Sequence, residues 1–113
     1  MGVVERSASY EQRRPWTLPE RLDDLRGPTS GRVTLPHRLD WSEQGTYDLD
    51  DPKQLGLMYE RVIRESMGPR DLTEYLDADT LVAVWRHIFL PRTVRQLWES
   101  RFPAVAPRAA DTR

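Results

Sequence analysis

DPKQLGLMYERVIRES, residues 51–66, is the stretch whose periodicity decides the fold. Asp51 is a residue type that caps helices, and Pro52 suits the first helical position. Leu55, Met58, Tyr59, Val62, Ile63 and Ser66 then recur on one face until Gly68-Pro69 stops the run. Working outward, the spacing predicts a short helix over Arg70 to Leu76 with Leu72, Tyr75 and Leu76 inward. Another, capped by Asp77 or Asp79, has the face Leu81, Val84, Trp85 and Ile88. Pro91 opens a last helix, with Phe89 ahead of it placed to staple onto Val94 and with Val94, Leu97, Trp98 and Phe102 as its apolar face. Pro103 ends it. Residues 52–102 therefore read as a compact bundle of three to four helices, and the fold class as mainly α.

Upstream the pattern is weaker. Thr17 and Glu20 have the spacing of a capping box, Pro19 tolerates a first turn, and Leu18, Leu22 and Leu25 share a face, which predicts a short helix over 17–26 that Gly27-Pro28 ends. Two short extended stretches follow, Arg32 to Pro36 and Thr46 to Leu49, either side of a turn at Gln44-Gly45. A lone two-stranded hairpin is marginal in water, so residues 17–51 are expected to be an extended arm that orders against a surface. Residues 1–16 and 103–113 have little to bury and are expected to be disordered.

Composition narrows the function classes. The chain has 113 residues, enough for one domain, with 38% hydrophobic and 31% charged residues, a mean hydropathy of -0.70, and four Trp and four Tyr. So many large rings in a polar chain imply burial in a core or an interface. With no cysteine, disulfides and thiolate metal sites are excluded. No stretch has the roughly 18 apolar residues of a membrane span, and the first residues hold no apolar signal core, so the cytoplasm is the expected compartment. A net charge of -1 argues against binding that rests on phosphate neutralisation.

Candidate chemistry is sparse. Asp48, Asp50 and Asp51 suggest a hard cation, but an EF-hand beginning at Asp48 needs Gly and Glu where the chain has Lys53 and Tyr59, so a turn with a helix cap is the better reading. His37 and His87 form no recognisable acid/base pair, and there is no phosphate loop and no nucleophile elbow. Neither catalysis nor a cofactor or metal is expected. The charge pattern says more. Residues 40–51 hold five acids and no base, alongside Trp41, Tyr47 and Leu49. That combination fits docking onto a basic groove, with acids steering and rings anchoring, and it equally fits a solvated loop folded back on its own bundle. Arg86, Arg92, Arg95 and Arg101 face only Glu99 between 86 and 101, which leaves DNA recognition or a homo-oligomeric domain as alternatives.

Three strings carry a resemblance: LPERLDDLRGPTSGRVTLPHRLDWS at 18–42, YDLDDPKQLGLMYERVIRE at 47–65 and DLTEYLDADTLVAVWRHIFLPRTVRQLWESRFP at 71–103. Together they resemble a family of small antitoxin-like proteins of high-GC bacteria encoded beside nucleotidyltransferase toxins of the AbiEii class. The resemblance implies a non-enzymatic antitoxin that blocks a nucleotidyltransferase by direct contact. Under that reading Met58, Tyr59, Trp85 and Trp98 form a docking platform, while Trp41, Tyr47, Asp48 and Asp50 cover the basic cleft of the toxin.

Overall fold

The computed structural model describes residues 16–42 and 45–106. The expected disorder of residues 1–15 and 107–113, and half of the turn placed at Gln44-Gly45, lie outside them. The fold is mainly α. A two-stranded antiparallel sheet, β1 (Arg32–Thr34) and β2 (Thr46–Asp48), precedes four helices: α1 (Pro52–Glu65), α2 (Pro69–Tyr75), α3 (Ala78–Val84) and α4 (Arg92–Arg101). Short 3-10 turns at Leu22–Asp24, Trp85–His87 and Pro103–Val105 fill the connections.

The helix starts follow from their side chains. The Asp51 carboxylate accepts from the Lys53 N–H at 3.0 Å while Pro52 stands in the first turn, so α1 begins where its orphan donors are satisfied. Asp77 opens α3 the same way, accepting from the Thr80 N–H at 3.0 Å. α1 buries Leu55, Met58, Tyr59, Val62 and Ile63. The same core takes in Leu72 and Leu76 from the α2 region, Leu81 of α3, Trp85 and Ile88 after it, and Val94 and Trp98 of α4. The Trp85 and Trp98 rings are tilted against each other with centroids 5.8 Å apart, and Phe102 extends the stack at 5.7 Å.

The division into arm and bundle does not survive. Leu25, Leu35, Leu39, Tyr47 and Leu49 all belong to the core that the helices form. Backbone bonds bind the two parts as well: the Gly27 N–H donates to Leu76 O at 2.7 Å, the Ala78 N–H donates to Leu25 O at 3.0 Å, and Arg26 pairs with Asp77. Across the sheet, Arg32 faces Asp48, Val33 faces Tyr47, and Thr34 faces Thr46. Gly31 and Gly45, at φ 81° and 59°, supply the left-handed backbone at the two ends of this ladder. Arg38 then clamps the loop to α2 through a bidentate pair with Asp71, at 2.6 and 2.8 Å.

Several local expectations are corrected. The helix over 17–26 shrinks to the turn Leu22–Asp24, because the Thr17 hydroxyl donates to Ser66 O at the end of α1 instead of capping its own chain. The Phe89 staple is absent: the Phe89 N–H is held by Glu60 at 2.8 Å and its ring is 85% exposed. Leu97 is exposed as well. Residues 103–106 stay with the fold, since Val105 is buried in the core.

Candidate partner-binding surface

The most organised polar group in the structure is the Asp40 carboxylate. Leu39 and Asp40 both donate backbone N–H groups to Pro36 O, at 2.9 and 3.0 Å, forming a turn that sinks Leu35 and Leu39 into the core and carries Asp40 inward with them. Asp40 is completely buried. It accepts from the Tyr47 hydroxyl, from the Ser42 hydroxyl and from the Ser42 N–H at 3.0 Å, while Arg61 Nε of α1 stands 3.8 Å away. Burial pushes the carboxyl pKa up, but the bonds from Ser42 and Tyr47 together with the Arg61 charge outweigh it and hold Asp40 below the usual carboxylate range. A buried carboxylate that is charged and fully bonded fixes the chain around it.

Trp41, the next residue, is what this anchoring presents. It is 67% exposed, and the Arg61 guanidinium carbon lies 6.0 Å from its ring centroid. A small polar hollow lined by Ser42, Tyr47, Leu57, Glu60, Arg61 and Arg64 lies beside it. Of the two ring residues flagged in the acidic stretch, only Trp41 reaches solvent. Tyr47 is buried, and it serves by holding Asp40.

The acids of residues 40–51 are less free than their number suggests. Asp40 is consumed internally, Asp51 caps α1, and the Asp48 carboxylate accepts from the Asp50 N–H at 2.9 Å to close a turn. Asp50 is the exposed one among those described, and Glu43 lies outside the described residues.

The expected platform is corrected outright. Met58, Tyr59, Trp85 and Trp98 have 0–1% exposure and form the centre of the core, where none can touch a partner without unfolding. The reason is visible in the pattern that found them, because the periodicity that reveals a helix marks the face turned inward. The Tyr59 hydroxyl accepts from the Asp77 N–H at 2.9 Å, and Trp85 Nε1 donates to Glu99 at 2.8 Å, so the polar tips of Tyr59 and Trp85 are spent on tying elements together. Besides Trp41, the large apolar residues left outside among those described include Leu57 on α1, Met67 after it, Val82 on α3, Phe89 in the connection before α4 and Leu97 on α4. Leu57 was legible as the one leucine of α1 out of phase with its buried face. Phe89 was misassigned.

The arginine group is also split. Arg95 donates to Trp85 O at 3.1 Å and Ile88 O at 2.6 Å, stacks 4.9 Å from the Trp85 ring and pairs with Glu99 at 3.6 Å, so it caps the end of the preceding helical segment. Arg101 donates to Glu20 O and lies over Phe102. Arg86, Arg92 and Arg101 face outward, but with Arg95 turned inward and Arg101 bonded to Glu20 O the four do not act as one free basic set. Among the described residues no group of three or more His, Asp or Glu has metal-binding geometry, and no helix is long and apolar enough to cross a membrane.

Tyr47 makes the anchoring testable by pH. Burial, then the bond to the Asp40 anion, raises its hydroxyl from the ordinary 10 to about 12. A phenol whose folded pKa lies above its unfolded value contributes stability that is whole below pH 10 and lost as pH rises toward 12, about 2–3 kcal/mol for two pH units. Tyr47→Phe is expected to be less stable than the unaltered protein at neutral pH, by about 1.5–3 kcal/mol for a lost bond to a charged group. Denaturant melts of the two proteins should converge as the solution becomes alkaline. A gap that stays constant to pH 12 contradicts the assignment.

Compared with family models, with curated proteins and with solved structures, the chain gives no match in any of the three.

Proposed function

We propose that this chain is a cytoplasmic protein-binding module rather than a catalyst, and that it neutralises a nucleotidyltransferase-like toxin by direct contact. The observation that carries the binding half is Trp41: the bulkiest side-chain type is held outward by a buried, fully bonded carboxylate, a large expense of order for a residue that contributes nothing to the core. Trp is enriched among residues that dominate interface energies, and one fixed before contact loses little further entropy on binding. The choice of partner is supported by the three resembling strings at 18–42, 47–65 and 71–103. A nucleotidyltransferase cleft must hold triphosphate and RNA and is therefore basic, which suits a Trp anchor together with the carboxylates of Asp48 and Asp50.

The contact surface under this reading is Trp41, Asp48 and Asp50, with Tyr47 as internal support. Because Trp41 is exposed, Trp41→Ala is expected to leave folding stability within about 0.5 kcal/mol of the unaltered protein. It is expected to weaken binding to the co-expressed, neighbour-encoded nucleotidyltransferase by about 30-fold, the scale of a 2 kcal/mol hot spot. Calorimetric titration of the purified pair reads both affinities. Equal affinity for the two proteins removes Trp41 from the interface, and no binding by either removes this partner.

A further inference from the structure

α1 carries a second face that the core does not use. Lys53, Gly56, Leu57 and Glu60 follow the i, i+3, i+4, i+7 spacing of one side of a helix, and Leu57 is 48% exposed. This side borders a groove of about 420 Å³ whose apolar wall is Gly56, Leu57, Val84 and Ile88, with Lys53 at one end and Glu60 toward the other. Glu60 at that end also accepts from the backbone N–H of the exposed Phe89.

Gly56 is the residue the fold leaves unexplained. A glycine inside a helix weakens it relative to alanine. A Cβ at Gly56 would meet only Ile88 Cγ2, at an ordinary 3.6 Å, so packing within the chain does not require glycine there. What a missing Cβ does allow is close approach of another backbone from outside.

We infer that this face binds a second copy of the chain, with the two α1 helices antiparallel across a twofold axis between Gly56 and Leu57. The charges argue for this occupant. Lys53 and Glu60 lie symmetrically about the midpoint of Gly56 and Leu57, so an axis there sets Lys53 of each copy opposite Glu60 of the other, twice. The two are seven positions apart, about 10 Å of helix, too far for them to pair within one copy. The Glu60 carboxylate, which already accepts from the Phe89 N–H, has lone pairs for a further donor. Leu57 of each copy then enters the groove of the other against Val84 and Ile88, and the absence of a Cβ at Gly56 lets the helices meet. A patch that contains both its knob and its hole, and both members of its ion pair, is self-complementary in the way a closed dimer requires. No toxin is needed for this association, so it stands or falls apart from the proposed function.

Sedimentation velocity of the purified full-length chain over a concentration series tests it. The expected result is a monomer–dimer equilibrium that Lys53→Glu and Glu60→Lys each weaken by about tenfold or more, by placing like charges opposite one another. An equimolar mixture of these two variants should recover dimer, because each then meets its opposite. Gly56→Ala should melt no lower than the unaltered protein yet dimerise more weakly, which separates the interface from the fold. A chain that stays monomeric throughout, a mixture no tighter than its components, or growth beyond the dimer overturns the inference.

Discussion

Asp40→Ala is expected to destabilise the protein by about 3–5 kcal/mol, the cost of removing one partner of a buried charged network and leaving the others unmatched. The Tyr47 hydroxyl and the Ser42 N–H and hydroxyl all lose their acceptor at once, and Arg61 loses its counter-charge. For a domain whose total stability is about 5–15 kcal/mol, that is roughly a fifth or more. The loss should be strongly non-additive with Tyr47→Phe, because the bond removed by the second change is already gone. It should also shrink in acid. The Asp40 pKa is depressed in the fold, so its contribution is present above the unfolded carboxylate pKa and disappears as pH falls through the folded value. Denaturant midpoints of the single and double variants at neutral and acid pH check both statements, and additive losses independent of pH would contradict them.

Gly27→Ala is the second large effect, about 3 kcal/mol. A Cβ there would stand 2.5 Å from the Tyr75 carbonyl carbon and 2.8 Å from Leu76 N and Tyr75 O. These are backbone atoms, so no side chain can rotate away, and the cost exceeds that of ordinary overpacking. Relief requires the 25–27 segment to lift off the α2–α3 junction, breaking the bonds of Gly27 N–H to Leu76 O and of Ala78 N–H to Leu25 O. Gly31→Ala is the control. Gly31 has φ 81° and nothing within 4 Å of its Cβ position, so it costs only the left-handed conformation, about 1–2 kcal/mol. Thermal or denaturant melts should rank the two in that order. The reverse order would show that the junction between the N-terminal segment and the helices is looser than described.

How much of this was legible in the sequence depended on whether the deciding interaction was local. Caps and apolar periods placed α1, α2, α3 and α4 to within a few residues, because Asp51, Pro52, Asp77 and Pro91 act on their immediate neighbours. The same locality misled at Thr17, whose hydroxyl crosses to Ser66, and at Phe89, whose N–H crosses to Glu60. The hairpin strands were visible, but their integration was not: Leu35, Leu39 and Leu49 are scattered apolar residues in a polar stretch, and nothing in their spacing says that α1 receives them. For the surface, periodicity was turned the wrong way round. It selected Met58, Tyr59, Trp85 and Trp98, which are core because they share the periodic apolar face, and passed over Leu57 and Gly56, which lie off the buried face of α1. Trp41 was found for a sound reason, a large ring among charges. Its support, Asp40, was counted only as one acid among five.

The structure thus replaces an arm that orders on binding with a preorganised surface built on one core. Hydrogen exchange of the free, full-length chain tests that claim most directly. The N–H groups of Leu35, Asp40 and Leu49 donate to Gly45, Pro36 and Gly31 carbonyls, at 2.9, 3.0 and 2.7 Å. If these elements share the core, those amides should be protected to nearly the same degree as Ser66 and Leu76, which end α1 and α2. Exchange of Leu35, Asp40 and Leu49 at near unfolded-chain rates, while Ser66 and Leu76 stay protected, would restore the separate arm and contradict this account.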